Sequence, residues 1–181
     1  MSENPEKPPL PTSPEALLAR LTAMGLTHTL YHHEAVFTVE ESEHLKETIP
    51  GVHVKNLFLR DKKERMCLVV LPHDINLDLK TVAPALGLDR ISFSSPDRLF
   101  KYLGVYPGSV CPFAAMNDTT NQVQVYIDEP TANADLVCAH PMLNTMSVTI
   151  KGADLLRFLD SVGHSPRLLP LRDFHRIADA A

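Results

Sequence analysis

Glycine is scarce, with seven in 181 residues, and neither a G-x-G-x-x-G turn nor a P-loop pattern occurs. Phosphate-cradling loop chemistry is therefore excluded. Cysteine is scarcer still. Cys67, Cys111 and Cys138 are odd in number and far apart, and none belongs to a C-x-x-C pair, which argues against a disulfide framework and against a cysteine zinc site. No apolar run approaches the roughly 18–20 residues of a spanning helix. The N-terminus, MSENPEKPPLPTSP, also lacks the basic-then-apolar order of a signal peptide. A membrane role is not expected, and the cytoplasm is the default location. Positive charge is not in excess either: the net charge of −5 excludes a protein that coats nucleic acid by general attraction. Nine histidines are present, but no H-E-x-x-H and no histidine-cysteine deaminase pattern. The adjacent His32 and His33 would point to opposite faces of a strand, so they would not converge on one ion. No metal and no cofactor is expected.

What remains is the composition of an ordinary globular chain, 44% hydrophobic and 22% charged, of a length suited to one domain. Charge is unevenly placed. Residues 1–54 carry three basic and eight acidic side chains, whereas 55–101 carry nine basic and six acidic. Contact with an anionic partner should centre on the middle of the chain.

Residues 1–12, rich in proline and charge, read as a flexible N-terminal arm. Structure begins at Ser13-Pro14-Glu15, a helix-start signal, and Leu17, Leu18, Leu21 and Met24 share one face before Gly25. A strand from Thr27 precedes the capping-box pattern Thr38-x-x-Glu41, which predicts a helix over roughly 39–47. VKNLFLRDKKERMCLVVLP is the clearest hairpin, with its polar turn at Lys62 and Lys63. Asp78 caps a helix expected to end at Gly87. ISFSS is a short strand, and Ser95-Pro96-Asp97 opens a helix closing at Gly104. QVQVYID and TMSVTI are strands, and Ala153 to Val162 is a last amphipathic helix. This order predicts an α+β single domain with a mixed, largely antiparallel sheet flanked by helices, spanning 13–163. Residues 164–181 read as a loosely held tail or as a helix docking on a neighbour.

Several residues invite a chemical reading. Cys111 in YPGSVCPFAAMND could serve as a nucleophile with His140 as base, but its apolar neighbours Val110, Pro112 and Phe113 suit a small buried hydrophobe better. Ser109 lacks the G-x-S-x-G setting and reads as a turn hydroxyl. Lys55 stands at the head of an apolar strand, after Pro50-Gly51. It is either a solvated strand end or a cation at a pocket mouth that holds a phosphate or a polarised carbonyl. His140 precedes a proline at the end of an apolar run, which suits a hydrogen-bonded structural histidine.

FTVEES, GVHVKNLFLRDKK, YLGVYPGSVCPFAAMND and HPMLNTMSVTI, in that order, resemble the YbaK/ProX superfamily of aminoacyl-tRNA deacylases. Within it, the chain is most similar to the free-standing alanyl-tRNA(Pro) editing proteins, PrdX or ProXp-ala. The resemblance covers roughly residues 13–163. It implies that Lys55 is required for activity, with Asn56 beside it, and that the Gly108 to Pro112 loop, including Ser109, borders the substrate with backbone groups. It also implies that His140 lines the aminoacyl pocket, that Asn144 completes H-P-x-x-N, and that Thr38 and Val39 open the helix on the opposite wall. The implied reaction is hydrolysis of a mischarged aminoacyl ester at the acceptor end of proline tRNA. Alanine is the implied acyl group, cysteine the alternative, and prolyl-tRNA synthetase a candidate partner. Arg60, Lys62, Lys63 and Arg65 on the hairpin are candidates for tRNA contact. A binding module without turnover, or a cysteine hydrolase using Cys111, are the rival readings.

Overall fold

Met66–Pro72 is an unbroken apolar run, and all seven of its residues are buried. A strand with no polar face must be covered on both sides, so it belongs in the middle of a sheet. The computed structural model, which describes residues 7–38, 41 and 43–176, places it there. Because side chains alternate along a strand, Met66, Leu68 and Val70 enter one core with Leu17, Leu21, Phe113 and Phe158. Cys67, Val69 and Leu71 enter another with Ile75, Val82, Leu86 and Leu171.

The sheet has eight strands among the described residues: β1 (His28–His32), β2 (Val52–Arg60), β3 (Met66–Pro72), β4 (Ser92–Phe93), β5 (Val123–Asp128), β6 (Val137–Ala139), β7 (Met146–Ile150) and β8 (Arg167–Leu169). Their spatial order is β1-β7-β6-β2-β3-β5-β8, and β4 adds to β2. The pairs β1/β7, β6/β7, β2/β3 and β2/β4 are antiparallel, while β2/β6, β3/β5 and β5/β8 are parallel. The mixed α+β architecture expected from the sequence is the one observed.

Helices α1 (Pro14–Ala23), α2 (Glu43–Thr48), α3 (Leu79–Val82), α4 (Pro96–Leu103), α5 (Glu129–Ala132) and α6 (Gly152–Ser161) flank it. The start signals act as their chemistry requires: Ser13 Oγ accepts from the Ala16 N–H at 3.1 Å, and Ser95 Oγ from the Arg98 N–H at 3.2 Å. The capping box forms as well. Glu41 donates its N–H to Thr38 Oγ1 at 3.1 Å, and its carboxylate accepts from the N–H groups of Phe37 (2.7 Å) and Thr38 (3.3 Å). The helix behind it is described only from Glu43 to Thr48.

Three expectations change. The helix after Asp78 stops at Val82 and not at Gly87, because Pro84 has no N–H to give to the preceding turn. The chain continues in turns, with Leu86 N–H on Val82 C=O at 3.1 Å. The loop after Cys111 is a 3-10 helix, Pro112–Asn117. Residues 167–176 are neither a loose tail nor a docking helix. They add β8 to the sheet, bury Leu171 completely and form a second 3-10 turn, Leu171–Phe174. At the other end, residues 7–12 lie against the body. Tyr106 Oη donates to Pro8 C=O at 2.5 Å, Thr12 Oγ1 meets Asn117 Oδ1 at 2.6 Å, and Leu10 packs on the core.

Candidate active site

β2 is bonded to β3 from Val54 to Arg60 on one edge. The other edge has two short partners. β6 pairs only with Val52 and His53, and β4 only with Leu59 and Arg60. Between them the strand edge is open. The hydrogen-bond parity tells which groups it offers: His53 C=O accepts from His73 N–H at 3.0 Å, so odd residues face β3. Even residues face outward, as Val52 N–H to Leu136 C=O (2.9 Å) and Ser94 N–H to Phe58 C=O (3.0 Å) confirm. The parallel register that sets His53 opposite Cys138 gives the Val54 N–H to the Cys138 carbonyl, so the groups that neither β4 nor β6 reaches are the Val54 C=O and the main-chain N–H and C=O of Asn56.

That edge forms one wall of a cleft of about 260 Å³. Lys55, Asn56, Thr38, Gly108 and His140 all line it. Lys55 is half-buried, and its Nζ donates to Asn76 Oδ1 at 3.2 Å. Burial lowers its pKa from the ordinary lysine value, and the Asp74 carboxylate opposes this. Asn56 Nδ2 donates to Val110 C=O at 3.0 Å, which leaves its buried Oδ1 without a partner among the described residues. Such an acceptor is costly when empty and is well suited to a donor arriving with a ligand.

His140 is held by a 2.8 Å bond between Nδ1 and the Met146 carbonyl. A carbonyl only accepts, so Nδ1 carries the proton and Nε2 the lone pair. Burial pushes the pKa of His140 down, the Met146 carbonyl pushes it up, and His33 and His53 lower it further. The ring is thus held neutral. Gly108 follows Pro107 in a turn closed by Ser109 N–H to Tyr106 C=O at 3.0 Å, with φ of +89°. Pro then Gly at positive φ is the type II pattern. A Cβ at this position would lie 3.0 Å from Phe37 Cδ1 and 3.4 Å from Asn144 Nδ2, so the wall is tight as well as left-handed.

Not every expected residue reaches the cleft. Asn144 is buried behind it and exchanges bonds with Val36: Nδ2 to Val36 C=O at 3.0 Å, and Val36 N–H to Asn144 C=O at 3.3 Å. It ties the 36–38 wall to the loop after His140. Ser109 and Pro112 are buried and do not line the cleft, and Pro112 instead starts the 3-10 helix. Val39 lies outside the described residues. Cys111 is fully buried with its Sγ 3.8 Å from Met142 Sδ, and burial pushes its thiol up to about 11. Burial likewise takes Cys138 to about 11 and Cys67 to about 12. None supplies a thiolate at neutral pH.

The basic hairpin residues separate from Lys55. At about 3.3 Å per residue, the turn at Lys62 and Lys63 lies some 20 Å along the strand. Arg65 pairs with the buried Asp61 carboxylate at 2.6 Å, and Arg60 lies 4.0 Å from Glu64, which Arg98 also holds at 2.9 Å. Two of the four cations are thus engaged within the protein. Lys62 and Lys63 remain exposed.

Residues 33–158 match the aminoacyl-tRNA editing domain family. The chain belongs to that family. The editing domain is 37% identical over 158 residues to prolyl-tRNA editing protein ProX of Acetoanaerobium sticklandii, covering 87% of this chain and 96% of that protein. It is 36% identical over 151 residues to prolyl-tRNA synthetase associated domain-containing protein 1 of Danio rerio, covering 82% of each. Among solved structures, a candidate trans-editing enzyme for prolyl tRNA synthetase superposes with a TM-score of 0.66 over 89% of this chain and 98% of its own. Its identity is 19%, so it speaks for the fold. The editing domain is accordingly an aminoacyl-tRNA deacylase of the YbaK/ProX superfamily, an enzyme acting on carboxylic esters. Among the described residues no helix is long and apolar enough to cross a membrane.

Sequence reasoning missed the apolar wall of Val36, Val54 and Val110 and two further residues of this cleft. His73 lines it, with Nδ1 3.3 Å from His53 C=O. The hairpin register was the available signal, since Lys55 opposite Leu71 brings His73 to the same end. Phe37 also lines the cleft and is 68% exposed, an uncommon setting for a large aromatic. It sits in the quoted run FTVEES, where only the capping box had drawn notice.

Proposed function

We propose that this editing domain acts in trans on mischarged tRNA(Pro), with the alanyl ester as its substrate, alongside prolyl-tRNA synthetase. The observation that carries the reading is Lys55 beside the open stretch of β2, in a cleft of about 260 Å³. Small-molecule sites usually measure about 300–1,000 Å³, so this one suits an aminoacyl-ribose end and leaves the rest of the tRNA outside. Val36, Val54 and Val110 supply apolar wall. Alanine places a methyl group against them, whereas proline brings a ring whose extra carbons must displace packed side chains. One methylene is worth about 1–3 kcal/mol in such a pocket, which a synthetase's first site cannot fully exploit against a smaller competitor. A second site that admits by size can.

In the reaction, water adds to the ester carbonyl carbon, the bond to the ribose oxygen breaks, and a proton passes to that oxygen. Charge develops on the carbonyl oxygen. The Lys55 ammonium and the outward N–H group of Asn56 are the donors placed to meet it. Asn56 Oδ1 and His140 Nε2 are acceptors for the substrate's ammonium or ribose hydroxyl. The ester is already activated, so a neighbouring ribose hydroxyl can serve as base and no protein nucleophile is needed. The raised thiol of Cys111 agrees with that economy.

A panel of alanyl-, cysteinyl- and prolyl-tRNA(Pro) offered to the purified protein tests the proposal. Alanyl ester should be cleaved and prolyl ester spared. Cleavage of cysteinyl ester alone would overturn the choice of alanine. Protection of all three would make the domain a binding module.

A further inference from the structure

The C-terminal segment follows the family match, which ends at residue 158. It nonetheless reaches the loop that serves Lys55. β8 lies parallel to β5, and Leu171, fully buried, gives its N–H to Asp128 Oδ1 at 3.1 Å. Asp128 is itself buried, and its second oxygen accepts from Thr131 Oγ1 at 2.9 Å, so the segment is anchored in the sheet. From that anchor the chain passes along residues 74–78. Phe174 C=O accepts from Asp78 N–H at 2.9 Å, and Leu77 bridges His175 in antiparallel fashion. Asn76 is held at both main-chain groups: its N–H donates to His175 Nδ1 at 2.9 Å, and its C=O accepts from Arg176 N–H at 2.6 Å. Arg172 Nη2 lies 3.3 Å from Asp74 Oδ2.

Among the described residues, Asn76 and Asp74 act on the Lys55 ammonium, one by a 3.2 Å hydrogen bond and the other by its charge. Both are braced by the C-terminal segment. A lysine side chain has four rotatable bonds and loses substantial rotamer freedom when fixed, so a cation used for catalysis needs an external stop. Asn76 is exposed and could not serve as one on a free loop.

We propose that residues 167–176 are a positioning element for Lys55, acting through His175 and Asn76. The inference rests on the reading of Lys55 given above. His175→Ala removes the acceptor for Asn76 N–H. It should lower kcat for alanyl-tRNA(Pro) about tenfold with KM unchanged, because Asn76, no longer held, lets go of the charged Lys55 Nζ at the reacting end. His175→Asn, whose Oδ1 occupies roughly the place of Nδ1, should restore the rate. Asn76→Ala removes only an exposed side chain and should behave as His175→Ala does, which keeps the test open if the latter fails to fold. The direct readout is the titration of Lys55, followed at its 13Cε resonance without substrate. Loss of the Asn76 oxygen removes a group that favours the ammonium, so both alanine variants should titrate lower. Wild-type titration and wild-type kcat in both would overturn the proposal. If Lys55→Ala leaves deacylation intact, the catalytic reading of Lys55 falls, while the resonance still decides whether the segment positions it.

Discussion

The two ends of β2 belong to one strand and face the same partner, β3, yet they do different work. At the far end, Leu59 and Arg60 are bonded on both edges, and the turn beyond them is clamped by Asp61. That carboxylate accepts from the N–H groups of Lys63 (2.9 Å) and Arg65 (3.0 Å) and from Arg65 Nε (2.8 Å). At the near end, β6 takes the Val54 N–H and goes no further, and the open main-chain groups of Asn56 gather there with Lys55 and His140. A sheet stabilises itself where both edges are paired. It offers chemistry where one partner leaves early.

Lys55→Ala should give the largest break in this contrast: a fall in kcat/KM of at least a few hundredfold, about 3–4 kcal/mol, with melting temperature unchanged. Single-turnover deacylation and a thermal melt together check it. Asp61→Ala should do the opposite at the other end, costing about 2–3 kcal/mol of stability by stripping several bonds from a buried site, with kcat intact in the folded fraction. Its pH signature follows. Burial alone would raise the pKa of Asp61, but the Arg65 side chain and backbone N–H bonds outweigh burial and hold it below the ordinary 3.8. A lowered carboxylate pKa stabilises the fold above the unfolded value, and the contribution is lost as pH falls through the folded one. In urea titrations the stability gap between wild type and Asp61→Ala should therefore be full above about pH 4 and narrow as pH falls below it.

Gly108→Ala should cost about 1–2 kcal/mol, divided between positive-φ strain and pressure on Phe37, and should raise KM as the cleft wall shifts. The smallest effect should come from the turn. Lys62→Ala with Lys63→Ala should raise KM for charged tRNA only a few-fold and flatten its salt dependence. Identical kinetics across salt concentrations would remove the turn from the tRNA surface.

Much of the fold was legible because its signals are local. Ser13, Ser95 and the Thr38–Glu41 box bond as short-range chemistry dictates, and the hairpin is visible in alternating apolar residues around a polar turn. β6 and β8 were not legible. Three residues such as VCA or RLL have no period to detect, and they become strands only because β2, β7 and β5 supply partners. The cleft has the same origin. Lys55, Gly108 and His140 were found through the motif resemblance, but the gap between β4 and β6 is a property of strand lengths that no single residue announces. The four hairpin cations looked alike in sequence, and only the ion pairs at Asp61 and Glu64 tell Arg60 and Arg65 from Lys62 and Lys63.

The parallel seat of β8 on β5 also sets a clock. Parallel pairing joins segments distant along the chain, and here the strand that completes this edge comes last. A ribosome making this protein will have released α1 and the β2–β3 hairpin well before Leu171 can reach Asp128. Until residue 176 clears the exit, the loop at residues 74–78 lacks the segment that packs on it, so the hairpin can form before this support arrives.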